Sequence, residues 1–295
     1  MYGCFGQNML TLGFPINFIF GPYFEYKKDN CFNNMKVIIT ANSGWNLINF
    51  RMGLMRELIK NGNEVVAVVP SSSYLEVLNK IGVRVVLLAM DSHGLNPISD
   101  GLLSLRFYTI LRRERPSVLL TFTIKPCIYG TLAASMLNIP VINNVTGLGA
   151  AFLRGGFLTF IVRGLYRLAF SHSRTVFFQN QDDFYKFVNE GLVKVKVAQD
   201  LPGSGVNLNE FSMKPLLKKQ HVIKFLMISR ILKDKGVIEY AAAAKAIRLK
   251  NKSIEFSLLG LHDIQNPNAV DQSQLNGWIE GGSINYLGTT SDVRP

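Results

Sequence analysis

Cysteine is scarce in this chain. Three occur in 295 residues, Cys4, Cys31 and Cys127, with no Cys-x-x-Cys pair and no histidine at metal-ligand spacing. That excludes a disulfide framework and a zinc site and fits a reducing, cytoplasmic setting. Acidic residues are also few: 20 Asp and Glu stand against 32 Lys and Arg, for a net charge of +12. Such a surface attracts polyanions, anionic lipid headgroups or phosphorylated small molecules. The basic residues are scattered, and no helix carries clustered Lys or Arg beside stacking aromatics, which argues against a nucleic-acid partner. A long unbroken apolar run is missing too. Residues 9–24 are interrupted by Gly13, Pro15, Gly21 and Pro22, lack a basic flank ahead of them and are too short to span a bilayer as a helix, so they are not read as a signal peptide. Residues 1–34 read as an irregular N-terminal extension, the other reading being a membrane-association segment.

Apolar residues make up 48% of the chain and aromatics 11%, enough to bury two cores of ordinary size. From Met35 onward, short β-branched runs alternate with helical segments, the pattern of parallel sheets covered by helices on both faces. The expected strands are 36–40, 64–69, 83–88, 117–121, 141–144, 175–178 and 194–197. The expected helices are 50–61, 72–81, 101–115, 129–137, 157–170 and 181–190. The organisation read from this is a Rossmann-like domain over 35–207, a basic linker over 208–220 with Lys214, Lys218 and Lys219, and a partial second Rossmann-like domain over 221–295. The second domain has strands at 223–228, 254–259 and 284–287 and a helix at 237–250, too few elements to cover both faces of a doubly wound sheet. The helix at 157–170 carries Arg163 and Arg167 within it and Arg154 and Arg174 beside it. It reads either as a core helix with solvated arginines or as a helix lying on anionic lipid.

In open α/β sheets, ligands lie at the carboxyl ends of the strands, so four loops carry the candidates. Ala41-Asn-Ser-Gly-Trp-Asn46 opens a helix, and Gly44 would let backbone approach an anion there. Thr121-Phe-Thr-Ile-Lys-Pro126 puts Lys125 either in the cleft or in solvent. Asn143-Asn-Val-Thr-Gly-Leu-Gly-Ala150 offers Thr146 and two glycines, either for sugar hydroxyls or as a capped turn. Ser229-Arg-Ile-Leu-Lys-Asp-Lys-Gly236 places Arg230 and Lys235 after the first strand of the second domain, two cations suited to holding a diphosphate and stabilising the charge it gains on leaving. The other reading of that loop is a solvated basic turn.

With these loops the chain resembles the family-4 retaining glycosyltransferases, in particular bacterial enzymes that build surface-polysaccharide and glycoprotein oligosaccharides on a polyprenyl diphosphate. The resemblance spans residues 35–295. It is carried by Gly94-Leu-Asn-Pro97, Thr123-Ile-Lys-Pro126 with Tyr129-Gly130, Thr146-Gly-Leu-Gly149, Pro202-Gly-Ser-Gly-Val206, and Arg230 with Lys235-Gly236. It implies the GT-B arrangement: two Rossmann-like domains across a cleft, the acceptor mainly on the first and a nucleotide-sugar mainly on the second, with no cofactor and no metal at the diphosphate. By match, Arg230 and Lys235 bind the donor diphosphate with Gly44 near it. Lys125, Thr123, Thr146, Gly147, Asn46, Gly205 and His93 are cleft or acceptor candidates, while His172, His221, His262 and the catalytic group stay unassigned. The expected reaction moves a hexose or N-acetylhexosamine to a polyprenyl-diphosphate-linked sugar at the inner face of the plasma membrane, where an anionic surface would hold the protein peripherally. The family also carries a glutamate pair seven residues apart further along, beyond residue 295. Little transferase activity is therefore expected of these residues alone, and a non-catalytic membrane-surface or partner-binding remnant is the alternative function.

Overall fold

The computed structural model describes residues 34–91, 97–147, 156–213, 223–264, 266, 268–290 and 292–293. Residues 1–33 of the expected extension over 1–34, His93, residues 94–96 of the Gly-Leu-Asn-Pro motif, Arg154, residues 214–220 of the linker and His221 lie outside them. Two compact units meet at Glu210 and Phe211, inside the basic connection.

The first unit is built on seven parallel strands, β1 Lys36–Thr40, β2 Glu64–Val69, β3 Arg84–Leu87, β4 Val118–Phe122, β5 Val141–Val145, β6 Thr175–Phe178 and β7 Ala198–Asp200, in the order β3-β2-β1-β4-β5-β6-β7. This is a doubly wound α/β sheet. Alternate β1 residues face opposite sides, as the strand period demands. Val37 and Ile39 pack with Leu47 and Met55 of α1 (Gly44–Lys60), whereas Ile38 packs with Phe107 and Leu111 of α3 (Pro97–Glu114). Between α1 and α3 lies the short α2, Leu75–Lys80. After β4 a π-helical turn, Pro126–Gly130, leads directly into α4, Thr131–Ser135. α5 (Gly156–Ser171) and α6 (Gln181–Asn189) close a third cluster around Tyr166, Phe170, Phe178 and Phe187.

α1 begins six residues ahead of the expected helix because Ser43 is extended and its side chain accepts a 3.2 Å hydrogen bond from the Asn46 N–H, capping the first turn. The strand expected at 194–197 is instead a 3-10 turn at Val195–Val197, and β7 starts at Ala198. The valines there mimic strand alternation, yet Val195 is 65% exposed, and the polar edge strand Ala-Gln-Asp pairs with β6.

In the second unit, β8 (Lys224–Ile228), β9 (Glu255–Leu259) and β10 (Asn285–Tyr286) form a parallel sheet in the order β10-β9-β8. Helices α7 (Val237–Lys250) and α8 (Gln272–Glu280) bury Val237, Ala241 and Leu275 against Phe256 and Leu258. β8 is an edge strand, and its Phe225, Leu226 and Ile228 are each about half exposed. Among the described residues no helix is long and apolar enough to cross a membrane.

Candidate functional site

In the first unit the loops at the carboxyl ends of β1 and β4 are tied together: the Asn42 N–H donates to the Thr123 hydroxyl at 3.1 Å. Thr123 is held at a φ of 68°, a left-handed conformation that a β-branched residue adopts only under constraint. Asn46 sits in the first turn of α1, and its side-chain oxygen is buried without a partner among the described residues. Gly44 is buried with the ring of Tyr74 against it. An added Cβ would lie 3.1 Å from Tyr74 Cδ2, so Gly44 makes room for the protein's own aromatic ring. Thr146 is exposed and followed by Gly147 at a φ of 138°, while Asn143 and Asn144, expected in this loop, are buried inside β5. Asn143 accepts from Thr121 and Thr131 and donates to Ser173, and Asn144 accepts from Gln179, so both are consumed by the core.

Lys125 is neither an open cleft cation nor a solvated lysine. Its side chain is 10% exposed, and its Nζ lies 2.8 Å from Asp100 Oδ1. The other carboxylate oxygen of Asp100 accepts from the Tyr129 hydroxyl at 3.2 Å. Burial, reinforced by the neighbouring Asp100 charge, raises the Tyr129 phenol well above its ordinary pKa and keeps it a donor.

Arg51 is a second group that composition could not mark. It is 1% exposed on the inner face of α1, 4.2 Å above the Phe122 ring, and donates to the Ser204 hydroxyl at 2.9 Å and to the Phe50 carbonyl. Burial lowers its pKa to about 10, and its Nε has no partner among the described residues. Ser204 also accepts from Gln179 at 2.9 Å, so the turn with Gly203 and Gly205, both at positive φ, is fastened over the carboxyl ends of the strands. Cys127, buried below, has its thiol pushed up to about 12 by burial and is inert at neutral pH.

In the second unit Arg230 comes two residues after the end of β8 and Lys235 ends a 3-10 turn, Lys233–Lys235, that delivers the chain to α7. Both side chains are exposed, and among the described residues neither is in an ion pair. Gly236 takes the left-handed conformation, φ 75°, at the N-cap of α7 and offers no side-chain cap, so the first-turn N–H groups stay open. Gly260 after β9 is needed for the loop's position: a Cβ there would sit 1.8 Å from the Ser229 carbonyl oxygen. One loop thus carries two exposed cations and an uncapped helix start, a combination whose charge and open N–H groups suit an anion. Among the described residues no group of three His, Cys, Asp or Glu could hold a metal ion.

Residues 36–180 match the family described as Glycosyl transferase 4-like. A curated relative, the N,N'-diacetylbacillosaminyl-diphospho-undecaprenol alpha-1,3-N-acetylgalactosaminyltransferase of Campylobacter jejuni subsp. jejuni serotype O:2, is 29% identical over 277 residues, covering 88% of this chain and 71% of the relative. The chain is thus similar to family-4 glycosyltransferases, by family model over residues 36–180 and by the Campylobacter enzyme over 88% of its length. Among solved structures, a Rickettsia africae glycosyltransferase aligns with a TM-score of 0.63 at 14% identity, over 88% of this chain and 70% of its own. Anabaena HepE in complex with UDP and glucose aligns with a TM-score of 0.64 at 13% identity, over 88% and 71%. At that identity the likeness is one of fold, and the fold is GT-B. The sequence pattern singled out the Arg230 and Lys235 loop and the Pro202-Gly-Ser-Gly-Val206 turn that contains Ser204, but it did not mark Asp100, Arg51 or Gln179. A signal for Arg51 existed: it falls between Leu47 and Met55 at four-residue steps, on the apolar stripe of α1.

Proposed function

We propose that this family-4 glycosyltransferase moves a hexose or N-acetylhexosamine from a nucleoside-diphosphate sugar to a polyprenyl-diphosphate-linked sugar, with retention at the anomeric carbon. The observation that carries the donor half is the exposed pair Arg230 and Lys235 at the open N-terminus of α7. In the transfer, the bond between the anomeric carbon and the diphosphate oxygen breaks, the diphosphate departs with the electron pair, and an acceptor hydroxyl oxygen bonds to that carbon as it gives up its proton. The two cations and the helix N–H groups hold the diphosphate before that step and stabilise the added charge after it, so no metal is called for. Thr123, Thr146, Gly147, Asn46 and Gly205 lie in the first unit's loops on the acceptor side, with Lys125 acting there through Asp100. The relative's action on a diphospho-undecaprenol-linked sugar supports the acceptor class, and the HepE complexes with UDP-glucose support the donor class.

A lipid-linked acceptor would be met at a membrane face, and the inner leaflet is the proposed place. On α5, Phe160 is 74% exposed, and Ile161 and Leu168 are also exposed, forming an apolar patch on a chain of net charge +12. Of its arginines, Arg163 pairs with Glu190 at 2.9 Å and Arg167 donates to the Glu190 and Gly191 carbonyls. The patch itself, with the general basic charge, is therefore the membrane-facing element. The donor half is tested by titrating UDP into the protein in a calorimeter, with and without EDTA. Binding should survive EDTA and fall at least tenfold in Arg230→Ala and in Lys235→Ala. Equal affinity in both variants would reject the assigned diphosphate site.

A further inference from the structure

Asp100 stands where several independent features meet. It lies in the first turn of α3, 4% exposed, with its two carboxylate oxygens engaged by Lys125 and Tyr129. Burying a charge pair costs desolvation that its own attraction repays poorly, so such a pair rarely serves stability alone. Lys125 comes two residues after the strained Thr123, and Tyr129 sits within the π-helical turn. Both kinds of backbone irregularity concentrate at ligand sites. Beside Asp100 opens a cavity of about 380 Å³, walled by Ala89, Asp91, Ser99, Leu103 and Arg106. It lies past the carboxyl ends of β2 and β3, the edge of such a sheet where ligands gather, and its size suits a small organic molecule.

The charges at this cavity select the ligand class. Asp91 and Asp100 are balanced by Lys125 and Arg106, while Lys125 is already committed to Asp100 and Arg106 Nη1 donates to the Ala89 carbonyl at 3.0 Å. Among the described lining residues a phosphate would face two carboxylates with Arg106 as the one cation outside an ion pair. A neutral polyhydroxylated ring fits instead: each carboxylate oxygen accepts a second donor besides the one it has, and Leu103 offers apolar surface to the ring's C–H face. We propose that this cavity holds one neutral pyranose ring of the sugar acceptor, with the Asp100 carboxylate accepting from ring hydroxyls and Lys125 and Tyr129 as the positioning residues that fix it. The proposal deepens the transferase reading and rests on it.

The test uses the 295-residue chain, saturation-transfer NMR with methyl glycosides of glucose, galactose and N-acetylgalactosamine, inorganic phosphate as the charged control, and UDP calorimetry in parallel. At least one glycoside should bind saturably and phosphate should not displace it. Asp100→Asn should weaken the glycoside at least tenfold. Because that change strands Lys125 in the interior and can unfold the unit, Ala89→Trp, at an exposed wall position, serves as the second variant. It should keep the melting temperature and UDP affinity while losing the glycoside signal. A wild-type protein that binds UDP but no glycoside overturns the pocket and leaves the donor site standing, as does an Ala89→Trp protein that binds glycosides as wild type does. Glycoside binding without UDP binding supports the pocket and counts against the donor reading.

Discussion

Glu114, the last residue of α3, has a side chain 7% exposed that lies 3.6 Å from Lys36 Nζ and 3.2 Å from Arg113 Nη2 and is hydrogen-bonded by both terminal nitrogens of Arg84. Arg84 reaches Glu64 as well, at 2.9 Å. Lys36, Glu64 and Arg84 are the first residues of β1, β2 and β3, so this network clasps the amino ends of three strands, opposite the ligand edge. The Arg84 hydrogen bond, first among several causes, holds the Glu114 carboxyl at about 2 instead of its ordinary 4.5. A carboxyl whose folded pKa is depressed contributes fully above the unfolded value and loses its contribution as pH falls towards the folded one. The stabilisation should therefore drain away between about pH 4.5 and pH 2, and at its full extent is worth roughly 3 kcal/mol. Urea unfolding followed at pH 7, 4 and 3 should show this loss in the wild type. Glu114→Gln should be less stable at pH 7 and should lose less stability than the wild type over that interval, the depressed Glu64 carboxyl keeping its own share, and an unchanged acid limb in the variant would refute the assignment.

At the scale of elements, the β8 loop depends on the glycine packed against its backbone. Gly260→Ala would drive a methyl group into the Ser229 carbonyl, whose residue immediately precedes Arg230, at a position whose φ of 154° already disfavours a side chain. We expect this variant to lose at least about 2 kcal/mol of second-unit stability and to weaken UDP binding with both cations in place, measured by denaturation and calorimetry together. On α5, replacing Phe160, Ile161 and Leu168 by Glu removes the exposed apolar patch and leaves the buried Val162, Tyr166 and Phe170 untouched. Flotation with anionic vesicles should fall several-fold while the melting temperature holds, and undiminished flotation would remove α5 as the contact. The same elements show what could be read in advance. β1, β2 and β6 were legible to the residue because β-branched runs between turn residues have no other outlet, and α7 because the left-handed Gly236 marks its start. β7 was misplaced, since the valines at 193, 195 and 197 alternate as strand residues do while the strand itself is polar. Lys125 and Asp100 were beyond reach: 25 positions separate them, and only the path of α3 across the sheet brings the charges together.

For the molecule as a whole, the two units rest on unequal cores. The first has seven strands with clusters on both faces of the sheet. The second has a single cluster around Ile231, Val237, Phe256 and Leu258, and its edge strand β8 leaves Phe225, Leu226 and Ile228 about half in water. Apolar area removed from water is the main stabilising term, at about 25 cal/mol per Å², so the second unit has much less margin against its chain entropy. Scanning calorimetry should therefore resolve two transitions, and hydrogen exchange should assign the lower to residues 211–295. Ligand that binds only the folded second unit stabilises it by mass action, about 2.7 kcal/mol at a hundredfold excess over Kd. UDP should consequently raise the lower transition and leave the upper one where it is. A shift of both transitions together would show the units unfolding as one, and a shift of the upper alone would put the nucleotide on the first unit and remove Arg230 and Lys235 from the donor site.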